Sequence, residues 1–231
     1  MALKPKHLSS DILVCVTNYG FSEEADDLKR RFARRLPTML IDSSSPTPPR
    51  TADLVIANEY YPGLWNAAVR SAVAQRRPWL MFVASDVQID DVSALCRRAV
   101  EASHAPGLGL WTPSLRDDSR VNFPACVNKG SNTLRECCLI EGFFFMARTD
   151  VLTRLYPIGR ENKFGWGADV AACYVAHHSG LAAAVDDRVT IHHPAPRAEH
   201  QIETDQARDE MLRYFGADVF QWGANMLQIF R

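Results

Sequence analysis

Hydrophobic positions along this chain come in short unbroken runs separated by longer stretches of helical period. Residues 11–16, 38–41, 54–57 and 79–84 are each apolar almost throughout. A strand buried on both faces needs apolar side chains on both, so continuous runs rather than alternating ones predict a parallel sheet. The stretches between them predict helices from Ser22 to about Arg35, from Gly63 to Gln75 and from Asp90 to Glu101. Ser22 reads as an N-cap, with Glu24 in an acidic first turn. Repeated βα units of this length imply right-handed crossovers. No G-x-G-x-x-G or P-loop pattern follows the first run, which weighs against a dinucleotide fold.

Beyond residue 105 the pattern changes. Gly107–Thr112 reads as a strand, and 113–134 has little periodicity. A loop of that length in a compact domain is functional or mobile as a rule. The run 137–146 is strongly apolar, broken only by Glu141-Gly142. A short helix at Asp150–Tyr156, a Gly-rich turn at Phe164–Asp169 and a helix at Val170–His178, apolar nearly all round, follow. The last strand, Val185–His193, is stopped by Pro194 and Pro196. A charged helix, Glu199–Tyr214, and an aromatic tail, Phe215–Phe230, close the chain. The whole of 1–231 therefore reads as a single domain with halves at about 11–105 and 106–196 and a helical tail at 197–231.

Composition narrows the classes. Of 231 residues, 47% are hydrophobic and 23% charged, as in a soluble globular protein. A net charge of −1 gives no electrostatic case for nucleic acid or an anionic membrane. No apolar run approaches the roughly 20 residues that span a bilayer. Residues 1–10 are polar and basic, without the apolar core of a signal peptide. Cysteines stand at 15, 96, 126, 137, 138 and 173 without a CxxC pair, which predicts buried free thiols in a reducing cytoplasm.

Three chemistry-bearing positions stand at element ends. Asp86 ends the fourth apolar run, Asp169 opens a helix, and His192-His193 end the last strand. Ligands of open α/β sheets bind beyond the carboxyl ends of the strands. Each residue has a structural alternative. Asp86 could cap the next helix, and Asp169 could be a plain N-cap. Adjacent strand residues point to opposite faces, so only one of the two histidines can face a site. His177-His178 suit a helix C-terminus. A buried Glu141 needs a partner, either an acceptor hydroxyl or Arg148. Trp111 and Trp166 could stack on sugar rings or fill the core.

In order along the chain, these motifs resemble the GT-A glycosyltransferases, in particular the inverting glycosyltransferase family 2. The likeness covers most of 11–196. Val16-Thr17-Asn18-Tyr19 is similar to the family's turn after the first strand, and Asp42-Ser43-Ser44-Ser45 to its Asp-Asn-x-Ser. Asn58 to Asn66, with Gly63 between, resembles its Asn-x-Gly segment and following helix. Ala84-Ser85-Asp86-Val87 stands at its Asp-x-Asp, Gly165-Trp166-Gly167-Ala168-Asp169 at its Gly-Trp-Gly-x-Asp, and Ile191-His192-His193-Pro194 at its late metal-binding histidine. Two positions depart from the pattern: Ala84 replaces the first acid of Asp-x-Asp, and Ala168 the Glu of Glu-Asp.

The resemblance implies a GT-A, Rossmann-like fold with a mostly parallel central sheet flanked by helices. It implies transfer of a sugar from a nucleotide-diphosphate sugar, UDP-linked as first guess, to a glycan or lipid-linked saccharide, as in polysaccharide biosynthesis, with peripheral membrane association compatible. It assigns Asp86 and His193, the histidine before proline, to Mn²⁺ or Mg²⁺. The donor would meet Thr17, Asn18, Tyr19, Asp42, Asn66, Ser85 and Asp86. The acceptor would meet Glu141, Gly142 and Trp166, and Asp169 would be the base of an inverting transfer. Two other classes share such a sheet. A sugar nucleotidyltransferase would need a basic Gly-rich loop after the first strand, which Thr17–Phe21 lacks. A non-catalytic nucleotide or glycan binder is the reading that Ala84 favours.

Overall fold

The computed structural model describes residues 7–194 and 204–229. Its elements are β1 (Ile12–Asn18), α1 (Ser22–Phe32), β2 (Thr38–Asp42), β3 (Leu54–Val55), α2 (Tyr60–Ala74), β4 (Trp79–Ala84), α3 (Val92–Ser103) and β5 (Leu108–Leu115). A 3₁₀ turn at Pro124–Cys126 leads to β6 (Leu134–Cys137), β7 (Phe144–Arg148), α4 (Thr149–Thr153), α5 (Ala168–His177), β8 (Ala182–Ile191) and α6 (Thr204–Ile229). Eight strands form one sheet in the order β3-β2-β1-β4-β7-β5-β8-β6. β1, β2, β3, β4, β5 and β8 run one way; β7 and β6 run against their neighbours. The parallel strands therefore end at one edge of the sheet. The turn that precedes β7, at Gly142-Phe143, lies at that edge too.

Burial explains the unbroken runs. Every residue of β1 is buried, and β4 is buried from Trp79 to Val83. Helices on both faces supply the cover that parallel strands need. On one face Phe82 stacks on Phe145 at 5.4 Å, with Trp65 of α2 at 5.3 Å from Phe145. α1 buries Ala25, Leu28 and Phe32 on one stripe and carries Glu23 and Glu24 in its first turn. Five cysteines are buried and Cys138 half-buried; all are free thiols, and burial pushes those of Cys126, Cys137 and Cys173 up.

Several boundaries depart from the sequence pattern for identifiable reasons. α1 starts at Ser22, so the cap position is Phe21 and Ser22 is no N-cap; its hydroxyl bonds the Thr47 carbonyl instead. α2 begins three residues before Gly63 because Pro62 sits in its first turn, where a missing N–H costs nothing. α3 is capped by Asp91, whose side chain accepts from the Ala94 N–H at 2.8 Å, so Asp86 is not the cap. The apolar run 137–146 is no single strand: it takes in the end of β6 at the sheet edge, a connection through Glu141-Gly142 and the start of β7 at its centre. The 113–134 segment is not a free loop. β5 continues to Leu115, and Asn128 Nδ2 donates to Ser114 Oγ, the Asp187 carbonyl and Thr190 Oγ1 at 2.8–2.9 Å. α6 joins the two predicted tail segments through a kink at Gly216, where φ is +86°. No helix among the described residues is long and apolar enough to cross a membrane.

Candidate active site

At the carboxyl edge of the sheet the ends of β4 and β8 meet. Asp86 leaves β4 one-third exposed, and its Oδ2 lies 3.4 Å from His193 Nε2. The His193 backbone is held by the segment after β5: Ser119 Oγ accepts from its N–H at 3.3 Å, and its carbonyl accepts from the Arg120 N–H at 2.9 Å. Its ring stacks on Phe143 at 3.8 Å, and its buried Nδ1 has no partner. His192 faces elsewhere. Its backbone bridges Gln88, and its Nδ1 lies 3.2 Å from Ser119 Oγ and 3.3 Å from Asp118. Alternation along the strand end separates the two rings.

The fit to a divalent ion rests on that pairing. Two cis ligands of an octahedral ion stand about 3 Å apart, close to the Asp86–His193 spacing. Among the described residues no group of three or more His, Cys, Asp or Glu side chains comes together as a cage. A pair of protein ligands suits an ion that takes its remaining ligands from phosphates and water. Ala84, half-buried, offers no oxygen where the resembled family has a carboxylate.

Beside this pair lies an open cleft of about 260 Å³, lined among others by Tyr61, Arg120, Gly142, Trp166, Asp169 and His193. Asp169 opens α5, and its Oδ1 accepts from the Val170 N–H at 2.8 Å. That bond is to the next residue, and Asp169 is the second residue of the helix rather than its cap. The cap position is Gly167, in a left-handed conformation at φ +79°. The plain N-cap reading therefore gives way to a half-buried carboxyl in the cleft wall. Burial, and then the charge of nearby Glu141, push its pKa up to about 7, while N–H donors of Val170, Asp169 and Gly142 pull the other way. A Cβ on Gly142 would come within 3.2 Å of both Asp169 Oδ2 and the Tyr61 hydroxyl, so a side chain there would crowd both groups.

Glu141 corrects two expectations. It is 1% exposed, and its carboxylate accepts from the Asn122 N–H (2.6 Å), Asn122 Nδ2 (2.8 Å) and the Phe123 N–H (2.8 Å). It pins the segment after β5 beneath the cleft and offers no oxygen to an acceptor. Arg148 is not its partner but pairs with Asp150 at 2.7 Å. Trp111 is fully buried core. Trp166 does line the cleft, and its indole Nε1–H is buried without a partner.

On the other side of Asp86, the expected donor contacts form a closed knot. Asn18 donates to Asp42 Oδ1 (2.8 Å) and Ser45 Oγ (3.1 Å) and accepts from Ser85 Oγ (2.7 Å) and the Phe21 N–H (3.1 Å). Asp42, wholly buried, also accepts from the Ser45 N–H and hydroxyl. Thr17 donates to the Val83 carbonyl. These five side chains shape the turns at the ends of β1, β2 and β4 and present almost no surface. Tyr19 is 51% exposed beside them. Asn66 lies away from this edge, with both amide atoms bonded to the Ile158 backbone at 2.9 Å. It ties α2 to the 154–167 connection, and the expectation of a donor contact there is withdrawn.

Tyr61 was missed. Its hydroxyl donates to the Gly142 carbonyl at 2.9 Å, and its ring occupies the space that a Cβ on Gly165 would need. Burial and then the Asp169 charge raise its pKa. Pro62 in a helix first turn was the signal that could have placed it. Arg120 and Asn122 were hidden in a stretch without periodicity.

No family model matches the sequence, and no curated protein matches it. Solved structures do match, and the architecture is the GT-A fold of glycosyltransferases. The chain is similar to a mannosyltransferase of Pyrobaculum calidifontis solved with GDP-Man and Mn²⁺, at 16% identity and TM-score 0.58, over 91% of this chain and 64% of that one. It is similar to GalNAc-T7 solved with UDP, GalNAc and Mn²⁺, at 10% identity and TM-score 0.63, over 90% and 48%. It is also similar to glucosyl-3-phosphoglycerate synthase of Mycobacterium tuberculosis solved with phosphoglyceric acid, at 15% identity and TM-score 0.58, over 88% and 79%. The chain spans less than two thirds of the length of the first two.

Proposed function

We propose that this protein is a metal-dependent glycosyltransferase that moves a sugar from a nucleoside-diphosphate sugar to an acceptor hydroxyl with inversion. One observation carries the reading: the Asp86–His193 pair and the raised carboxyl of Asp169 line the same edge of a GT-A sheet, with the cleft between them. Asp86 and His193 would hold Mn²⁺ or Mg²⁺, the imidazole favouring Mn²⁺. When bound, such an ion acts as a Lewis acid on the charge that develops on a leaving diphosphate. The Mn²⁺ and nucleotide groups of the two neighbours above support the same ligand class. UDP and GDP are the first nucleotides to test, with UDP the first choice.

Asp169 takes the acceptor proton. A carboxyl near 7 is matched to a base working at neutral pH, since about half of it is ionised there and that form is basic enough to accept. Tyr61 and Gly142 fix its surroundings, and Trp166 offers an apolar face to a sugar ring. The closed knot around Asn18 and Asp42 sets the shape of the donor turns, leaving Tyr19 as the exposed side chain that can pack on a base.

The test is nucleotide binding with and without Mn²⁺. Asp86→Ala and His193→Ala should each abolish the Mn²⁺-dependent rise in melting temperature that UDP or GDP gives, while His192→Ala keeps it. Undiminished stabilisation in Asp86→Ala would overturn the metal assignment. A second reading, a binder without catalysis, is favoured by Ala84. It predicts nucleotide binding but no Mn²⁺-dependent release of sugar from any donor.

A further inference from the structure

The cleft beside Asp169 contains a cation that no described residue neutralises. Arg120 is half-buried in its wall, yet its guanidinium makes no hydrogen bond, ion pair or ring contact among the described residues. The other described arginines of the same half have partners: Arg188 pairs with Asp186, Arg116 with Asp118, Arg135 with Asp187, Arg148 with Asp150 and Arg160 with Glu59, and Arg154 donates to Ser179 Oγ. A guanidinium left unpaired at the wall of an open cleft is free to pair with an anionic group of a ligand.

Its placement says from which side that charge comes. The Arg120 backbone is clamped to the His193 carbonyl at 2.9 Å, so the residue does not wander from the cleft. It shares the lining with Trp166, whose buried indole N–H is also unpartnered, and with Asp169. Neither Asp86 nor any residue of the Asn18–Asp42 knot lines this cleft. The unmatched donors thus stand on the Asp169 side of His193, away from the donor turns.

We propose that Arg120 binds an anionic group on the acceptor, so that the hydroxyl glycosylated belongs to a molecule carrying a carboxylate or a phosphate. This rests on the cleft being the acceptor's in the function proposed above. The planar fork of five donors matches either anion by paired hydrogen bonds. Asp169, whose own charge would repel an acidic acceptor, shares the cleft lining with Arg120, which can balance it.

Glucose, glucuronate and glucose 6-phosphate give one ring with no charge, a carboxylate or a phosphate. Thermal-shift titrations without nucleotide or metal should show stabilisation by at least one of the two anions and none by glucose. Glucuronate alone, or glucose 6-phosphate alone, identifies which group the site takes. Arg120→Met should raise the half-saturating concentration at least tenfold, and Arg120→Lys should fall between, keeping charge but losing the fork. Both variants should melt like the parent without ligand and keep its full response to UDP or GDP with Mn²⁺. The proposal is overturned if neither anion stabilises the protein, if glucose does so equally, or if Arg120→Met loses the nucleotide response instead. If anions bind through Arg120 while no sugar nucleotide or nucleotide binds with Mn²⁺, the glycosyltransferase reading fails and the anion site stands.

Discussion

Asp169 decides the chemistry at the scale of single residues. An aspartate in water titrates near 3.9, but here burial and the Glu141 charge lift it to about 7. As a base it works only when ionised, so kcat/KM for transfer should rise with pH through a limb near 7 rather than near 4. Asp169→Asn keeps the shape and the acceptor oxygen for the Val170 N–H. It should leave nucleotide binding intact and slow transfer by about 10²- to 10⁴-fold, the usual contribution of a general base. Near-normal turnover in that variant, or an anomeric coupling in the product that reports retained configuration, would remove Asp169 from the role. The same residue shows what a sequence can carry. Asp169 and His193 are visible as carboxylate and imidazole at element ends. The charge that tunes Asp169 comes from Glu141, 28 positions earlier, and no local pattern announces that proximity.

Elements were legible where a single rule governs them. Trp79–Ala84 is a strand in pattern and in structure because a central parallel strand has no polar face to confuse the reading. The pattern fails where distant partners decide. Residues 137–146 read as one interrupted strand, yet the chain crosses from the sheet edge to its centre between β6 and β7. Glu141 marks that crossing, and its three donors come from Asn122 and Phe123, in the stretch with the least periodicity. Asn18, Asp42 and Ser85 have the residue types of a ligand pocket but bond one another, and Thr17 bonds the Val83 carbonyl, which only the register of β1 with β2 and β4 reveals. Glu141→Gln tests the crossing. Gln can keep Oε1 on the two backbone N–H groups, but its Nε2 then faces Asn122 Nδ2, so the variant should lose about 1–3 kcal/mol of stability to donors left unsatisfied. Removing the charge should also move the Asp169 limb of the rate profile to lower pH. A limb that stays near 7 in this variant would show that burial alone sets it.

Across the whole molecule two sets of carboxylates pull stability in opposite directions with pH. Asp186 and Asp187 of β8 are paired, with Arg98 and Arg188 on one and Arg135 on the other, and their hydrogen bonds to these partners hold them below the usual carboxylate range against the opposing cost of burial. Groups lowered in the folded state contribute stability above their unfolded value near 3.9, and lose it as pH falls through the folded one. Asp169 and Glu141 are raised. For Asp169 the contribution is complete below about 3.9 and is lost as pH climbs through about 7, because folding then holds a charge in a poorly solvated wall. The two sets leave a stability maximum on the acid side of neutrality. Asp169→Asn removes the second trend at its source and relieves Glu141 of a like charge. The melting temperature of this variant relative to the parent should therefore increase steadily from pH 4.5 to pH 8. A difference that stays flat over that range would mean that Asp169 titrates outside it, and the matched base at the centre of the proposed transfer would go with it.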